Sequence, residues 1–131
     1  MNAIVIGGGA SGMMCAILLA QKGAEVTLIE KNEKLGKKLF ITGKGRCNLT
    51  NNCDLHDFFA NIVTNSKFMT SALYGFSPKD TIDFFETNGV KLKTERGNRV
   101  FPQSDKSSDI IKCLEKTLRS SGVEVRLNTA A

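Results

Sequence analysis

Gly7, Gly9 and Gly12 stand in Gly-x-Gly-x-x-Gly spacing, and Glu30 follows 18 residues after the last of them. These residue types at this spacing suit a phosphate-and-ribose ligand. Gly7 allows a tight turn, Gly9 lets a pyrophosphate approach a backbone without a Cβ, and Gly12 lets a helix pack closely on a sheet. Ala10 and Ser11 keep the approach small. A helix opening here would offer unpaired N–H groups and a partial positive charge to the phosphates. A carboxylate at Glu30 can accept from both hydroxyls of an adenosine ribose and would repel a 2′-phosphate, which favours FAD or NAD over NADP.

The spacing carries this meaning only between a strand and a helix. Ala3–Ile6 is an unbroken apolar run and reads as a short strand buried on both faces. Met13–Ala20 is helix-forming and stops near Gly23. Ala24–Ile29 reads as a second strand, with Glu30 at its end. Residues 1–30 are therefore expected to form a βαβ nucleotide-binding unit. The competing reading is a glycine-rich turn that binds nothing.

Residues 31–53 show no countable period and read as a cofactor loop. Lys37–Ile41 suggests a short extended piece, and Thr42–Asn52 is rich in glycine, hydroxyls and amides. The order of residues is not that of a Walker loop. Lys31, Lys34, Lys37, Lys38, Lys44 and Arg46 stand here against Glu33, and they supply much of the formal net charge of +5. A basic cluster directly after a nucleotide-binding unit is explained more economically by an anionic cofactor than by nucleic acid.

Residues 54–105 read as a helical and hairpin excursion. Leu55, Phe58, Phe59, Ile62 and Val63 follow helical spacing, and Ser66 is placed to cap a second helix carrying Phe68, Met69, Ala72 and Leu73. Both stripes read as core. Ser77-Pro78-Lys79-Asp80 is a helix start, and Val90–Glu95 with Arg99–Pro102 reads as a hairpin. Ser107-Ser108-Asp109 is expected to cap a last helix, and Val123–Leu127 reads as a third strand, within a final segment 106–131. The fold class is α/β, Rossmann-like, with a partial parallel sheet in the order 3-2-1. Half the usual sheet is missing, so the chain reads as the N-terminal part of a larger protein.

The length, 131 residues, suits one domain, and 41% hydrophobic with 24% charged residues is ordinary for a globular protein. No apolar run reaches the roughly 20 residues of a membrane span, so no membrane partner is expected and the cytoplasm is the default. Cys47, Cys53 and His56 have poor zinc spacing, so no metal is expected. Cys15 and Cys113 read as core.

Gly36–Asn51, Gly-Lys-Lys-Leu-Phe-Ile-Thr-Gly-Lys-Gly-Arg-Cys-Asn-Leu-Thr-Asn, resembles the signature of the BaiN/YhiN-like flavoproteins, which are FAD-dependent, or NAD(P)/FAD-dependent, oxidoreductases. Gly97–Lys106 is similar to that family's second recurring motif, and the resemblance runs the length of the chain. It implies non-covalent FAD, with Gly7, Gly9, Ala10, Ser11 and Gly12 at the pyrophosphate and Glu30 at the adenosine ribose. It further implies Lys38, Thr42, Gly43, Gly45, Arg46, Cys47 and Asn48 at the pyrophosphate, ribityl and flavin end, and main chain near Ala131 at the adenine. Lys44 departs from the small residue or glycine usual there.

Chemically, Arg46 and Lys38 could neutralise phosphate or reduced flavin, and Thr42 and Asn48 could bond to ribityl hydroxyls. A redox pair of Cys47 with Cys53 is weighed below simple packing. The implied activity is hydride transfer from a nicotinamide donor, NAD(P)H, through FAD to a small organic substrate, such as reduction of a conjugated double bond. No side chain here qualifies as a general acid or base. Two alternatives stay open. One is a flavin-dependent enzyme modifying tRNA or other RNA. The other is a truncated nucleotide-binding module without activity.

Overall fold

The computed structural model describes residues 1–131. The chain runs β1 (Asn2–Ile6), α1 (Ala10–Gln21), β2 (Glu25–Ile29), α2 (Lys37–Ile41), β3 (Thr50–Asn51), α3 (Leu55–Ala60), α4 (Thr70–Gly75), α5 (Pro78–Thr87), β4 (Leu92–Glu95), β5 (Arg99–Pro102), α6 (Ser107–Ser120) and β6 (Glu124–Arg126). β1, β2 and β6 form a parallel sheet in the order β1-β2-β6, the expected 3-2-1. Val5 pairs with Leu28, and Leu28 with Val125. β3, β5 and β4 form a small antiparallel sheet, so the hairpin gains a third strand from the loop that precedes the excursion.

One face of the parallel sheet makes the core. Val26 and Leu28 pack with Met13, Ala16 and Ile17 of α1 and Ile110, Leu114 and Leu118 of α6. The other face is bare: Ile4 is 69% and Ile6 70% exposed. β1 is therefore not buried on both faces, because α1 and α6 lie on the same side of the sheet.

Five local expectations are corrected. Lys37–Ile41 is helical, entered through Gly36 at φ +67°. Ser66 does not cap a helix. Asn65, in the left-handed region, leads into a 3₁₀ turn over 66–69, and α4 begins at Thr70. Val63 is 95% and Phe68 79% exposed, and Met69 is exposed too, so these are not core. α3 ends at Ala60, and helical spacing cannot hold Val63 on its apolar face beyond that end. At the last helix Lys106 takes the cap position without a side-chain bond, and Ser107 is buried instead. Ser77 and Asp80, in contrast, form a reciprocal capping box, with Asp80 N–H donating to Ser77 Oγ and Ser77 N–H to Asp80 Oδ2. Cys113 is buried as expected, whereas Cys15 is exposed. No helix is long and apolar enough to cross a membrane.

Candidate functional site: a glycine turn and the carboxylate behind it

The glycine turn joins β1 to α1. Gly7 sits at φ +104°, and its N–H donates to the Ile29 carbonyl at 2.8 Å, the last bond of the β1–β2 ladder. Gly9 caps α1, whose first turn carries no acid to oppose an anion. A Cβ on Gly12 would strike the Gly7 carbonyl oxygen, so this glycine lets the helix seat on the strand end. A Cβ on Gly9 would meet nothing within 4 Å. That open space, with exposed Ala10 and Ser11 beside it, is where a pyrophosphate can approach bare backbone. Gly8, which the motif leaves unspecified, is also constrained. A Cβ there would overlap Leu35 Cδ2 and stand 3.2 Å from Glu30 Cβ.

Glu30 is only 8% exposed and its carboxylate gathers three donors. Gly8 N–H donates to Oε2 at 2.7 Å, and Asn32 donates to Oε1 from its backbone N–H at 2.8 Å and from Nδ2 at 2.7 Å. The Asn32 N–H, then the Gly8 N–H, hold the Glu30 carboxyl below the usual carboxylate range against the opposing effect of burial. The chain beyond β6 returns to the same place. Asn128 N–H donates to the Asn32 carbonyl and Thr129 N–H to the Glu30 carbonyl, both at 3.0 Å. Ala131, two residues on, is exposed. An open, Cβ-free turn at a helix start beside an ionised carboxylate fits a dinucleotide. Gly8 and Asn32 escaped sequence reasoning. The only signal for Asn32 was an amide placed two residues after an acid, where side chain and backbone readily bond.

The loop after β2 is tied back to this turn, because Gly36 N–H donates to the Gly8 carbonyl at 2.8 Å. Ser107 Oγ donates to the Phe40 carbonyl at 2.7 Å and pins α2 to α6. Lys38 is exposed on α2. Thr42 Oγ1 donates to the Leu39 carbonyl at 2.7 Å. Gly43 (φ +56°), Lys44 (φ +57°), Gly45 (φ +83°) and Cys47 (φ +59°) then follow a left-handed path, and Asn48 emerges exposed. A Cβ on Gly43 would stand 2.9 Å from Asn48 N. Lys44, at φ +57°, stands in a conformation that favours glycine.

Two side chains of this loop are engaged inside the protein. Cys47 is buried, and burial pushes its thiol up, which suits packing and not a redox pair with Cys53. Arg46 does not stand free for a phosphate. Its Nε and Nη2 donate to Asp105 Oδ1 at 2.8 and 2.6 Å, and Nη2 donates to Glu95 Oε1 at 2.5 Å. Its guanidinium carbon lies 4.1 Å from the centre of the Phe101 ring. Lys93 completes the network, with Nζ 2.7 Å from Asp105 Oδ2 and 3.3 Å from Glu95 Oε1. The sequence motif around Gly97–Lys106 thus holds the motif around Gly36–Asn51.

A family profile described as HI0933-like protein Rossmann domain matches residues 1–131. The 3-dehydro-bile acid delta(4,6)-reductase of Clostridium scindens is 38% identical over 128 residues, covering 95% of this chain and 31% of its own length. A ribosomal RNA dihydrouridine synthase of Escherichia coli is 34% identical over 129 residues, covering 98% of this chain and 31% of its own. Among solved structures, a flavocytochrome c3 fumarate reductase in its open conformation is 28% identical, with a TM-score of 0.58 over 95% of this chain and 26% of that one. The chain spans about 31% of the length of the curated relatives it matches. The match runs from end to end of the chain, and the fold is that of a Rossmann domain.

Proposed function

The chain belongs to the HI0933-like family, and we propose that it serves as the FAD-binding part of an enzyme that reduces a carbon–carbon double bond conjugated to a carbonyl, with NAD(P)H as the hydride source. The observation that carries the cofactor reading is the Glu30 carboxylate fixed at the glycine turn by Gly8. Gly7, Gly9, Ala10, Ser11 and Gly12 would hold the pyrophosphate, Glu30 the adenosine ribose, and main chain around 128–131 the adenine. Lys38, Thr42, Gly43, Gly45 and Asn48 would face the ribityl and flavin end, with Arg46 and Cys47 supporting them from behind. When bound, FAD supplies the hydride relay; these residues bind and orient it.

The reaction class is supported by what the relatives' names share. A delta(4,6)-reductase acts on double bonds in a ring system, and dihydrouridine is uridine with its C5–C6 double bond saturated, a bond conjugated to the C4 carbonyl. RNA as the substrate is the second reading. It is favoured by that relative and by a cleft of about 500 Å³ lined by Lys91, Lys112 and Lys116 along with Asp109. None of the three lysines is in an ion pair, so the basic surface is not confined to the loop 31–46.

The test is to purify the protein, record its visible spectrum, release the nucleotide by heat, and then assay NADH and NADPH oxidation with a steroid enone and with uridine-containing RNA. A flavin spectrum with released FAD and turnover of either substrate supports the proposal, and which substrate turns over decides between the readings. A protein that is colourless and takes up no added FAD overturns it.

A further inference from the structure

Glu30 is expected to accept both ribose hydroxyls, yet its carboxylate is already largely occupied. An ionised carboxylate offers about four acceptor positions. Three are taken, two on Oε1 by Asn32 and one on Oε2 by Gly8. Room remains on Oε2 for one hydroxyl, not for two.

The Asn32 carboxamide supplies the missing acceptor. A carboxylate only accepts, so the end of the amide facing Oε1 at 2.7 Å must be the nitrogen, and Oδ1 is the other end. The remaining polar groups of Asn32 are satisfied, its N–H by Glu30 Oε1 and its carbonyl by Asn128 N–H, while Oδ1 accepts from no protein donor. The carboxamide, held to Oε1 through its nitrogen, keeps its oxygen as a second acceptor two residues from the carboxylate.

We infer that ribose recognition is divided: Glu30 Oε2 accepts from one hydroxyl of the adenosine ribose, and Asn32 Oδ1 accepts from the other. Asn32 is then a binding residue for the nucleotide, and the geometry selects for a ribose carrying both hydroxyls free. This inference rests on the dinucleotide reading above.

The experiment is calorimetric titration of the nucleotide-free protein with ADP, 2′-deoxy-ADP and 3′-deoxy-ADP, for the wild type and for Asn32→Ala and Asn32→Ser. Both variants keep the backbone N–H that holds Glu30, and thermal melts verify their folding. In the wild type each missing hydroxyl should weaken binding, roughly tenfold or more for the one on the carboxylate and roughly threefold or more for the one on the amide. Asn32→Ala also frees the Oε1 position that Nδ2 fills, so Asn32→Ser, whose hydroxyl can donate to Oε1, is the deciding variant: in it one of these two penalties should vanish and the other persist. If both penalties persist in full, Glu30 takes both hydroxyls and the inference fails alone. If both vanish, Glu30 is not the ribose acceptor and the inference fails with it. A wild-type protein that binds no ADP overturns the dinucleotide reading itself, and the inference falls with that reading.

Discussion

The Glu30 carboxylate and the Gly8 amide meet at 2.7 Å, and this bond joins the end of the second strand to the turn after the first. Because Asn32 adds two more donors, the carboxylate is a structural centre in its own right, apart from the ribose-binding role proposed for it. Glu30→Gln would place an NH₂ group against converging N–H donors. A buried donor left without a partner costs about 1–3 kcal/mol. Urea unfolding should therefore show both Glu30→Gln and Glu30→Ala destabilised by about that much, in addition to weakened FAD binding. Wild-type stability in Glu30→Gln would mean that the three bonds contribute nothing net.

The same carboxylate has a pH signature. Its folded-state pKa is lowered from the ordinary 4.5, chiefly by the Asn32 and Gly8 N–H groups. A lowered folded pKa contributes stability that is fully present above the unfolded value and is lost as pH falls through the folded one. Below about pH 4.5 the unfolding free energy of the wild type should drop more steeply than that of Glu30→Ala. Parallel curves for the two proteins would remove Glu30 from the acid-sensitive set.

Gly9 and Gly12 separate binding from folding. A Cβ at Gly9 meets nothing within 4 Å, and the residue's φ of −79° is open to any side chain. Gly9→Ala should leave stability within about 0.5 kcal/mol of wild type while weakening FAD binding, because the added methyl group occupies the pyrophosphate's approach. Gly12→Ala drives a Cβ into the Gly7 carbonyl and should destabilise the fold by about 1–3 kcal/mol, as overpacking does. Chemical denaturation with flavin titration distinguishes the two.

The sequence makes the first strand, the first helix, the second strand and the third strand legible because each has a clear apolar period or run and the motif between them has its own spacing. The capping box at Ser77 and Asp80 is legible for the same reason: it is local. Arg46 is not, since its partners Glu95 and Asp105 lie 49 and 59 positions away. Phe68 and Val63 mislead because apolar residues at helical spacing look like core whether or not the helix continues and whether or not anything packs against it. The bare face of β1 misleads similarly. Four apolar residues in a row describe a strand with two apolar faces, not what covers them.

Arg46 anchors the cofactor loop to the hairpin through two different forces, and salt separates them. The ion pairs with Asp105 and Glu95 are partly exposed, so they are screened by salt, whereas stacking on Phe101 is less so. Asp105→Asn should lower the melting temperature at low ionic strength and approach wild type in molar salt. Arg46→Gln loses both contacts and should keep part of its deficit in high salt. Both variants should bind FAD more weakly through a loosened loop. Wild-type melting of Arg46→Gln at every salt concentration would show that the loop does not depend on this anchor.

Lys44 occupies a left-handed conformation that costs a side-chain-bearing residue about 1–2 kcal/mol, against the smaller entropic cost of glycine in the unfolded state. Lys44→Gly should raise stability by about 0.5–1 kcal/mol. A net loss would mean that the lysine side chain makes a compensating contact.

The four free cysteines should react in an order set by burial. Cys15 is exposed on α1 and should react first with an aromatic disulfide reagent. Cys53 is half-buried, and burial pushes its thiol up, so it should follow slowly. Cys47 and Cys113 are buried, with thiols raised by loss of water, and should react only as fast as the chain opens. The rates of those two should therefore rise with added urea, while that of Cys15 should not. Cys47 stands in the loop next to Asn48, and a reactive thiolate there would suit a redox pair with Cys53. Rapid labelling of Cys47 in the folded protein would restore that pair; slow, opening-limited labelling makes Cys47 the packed floor of the loop.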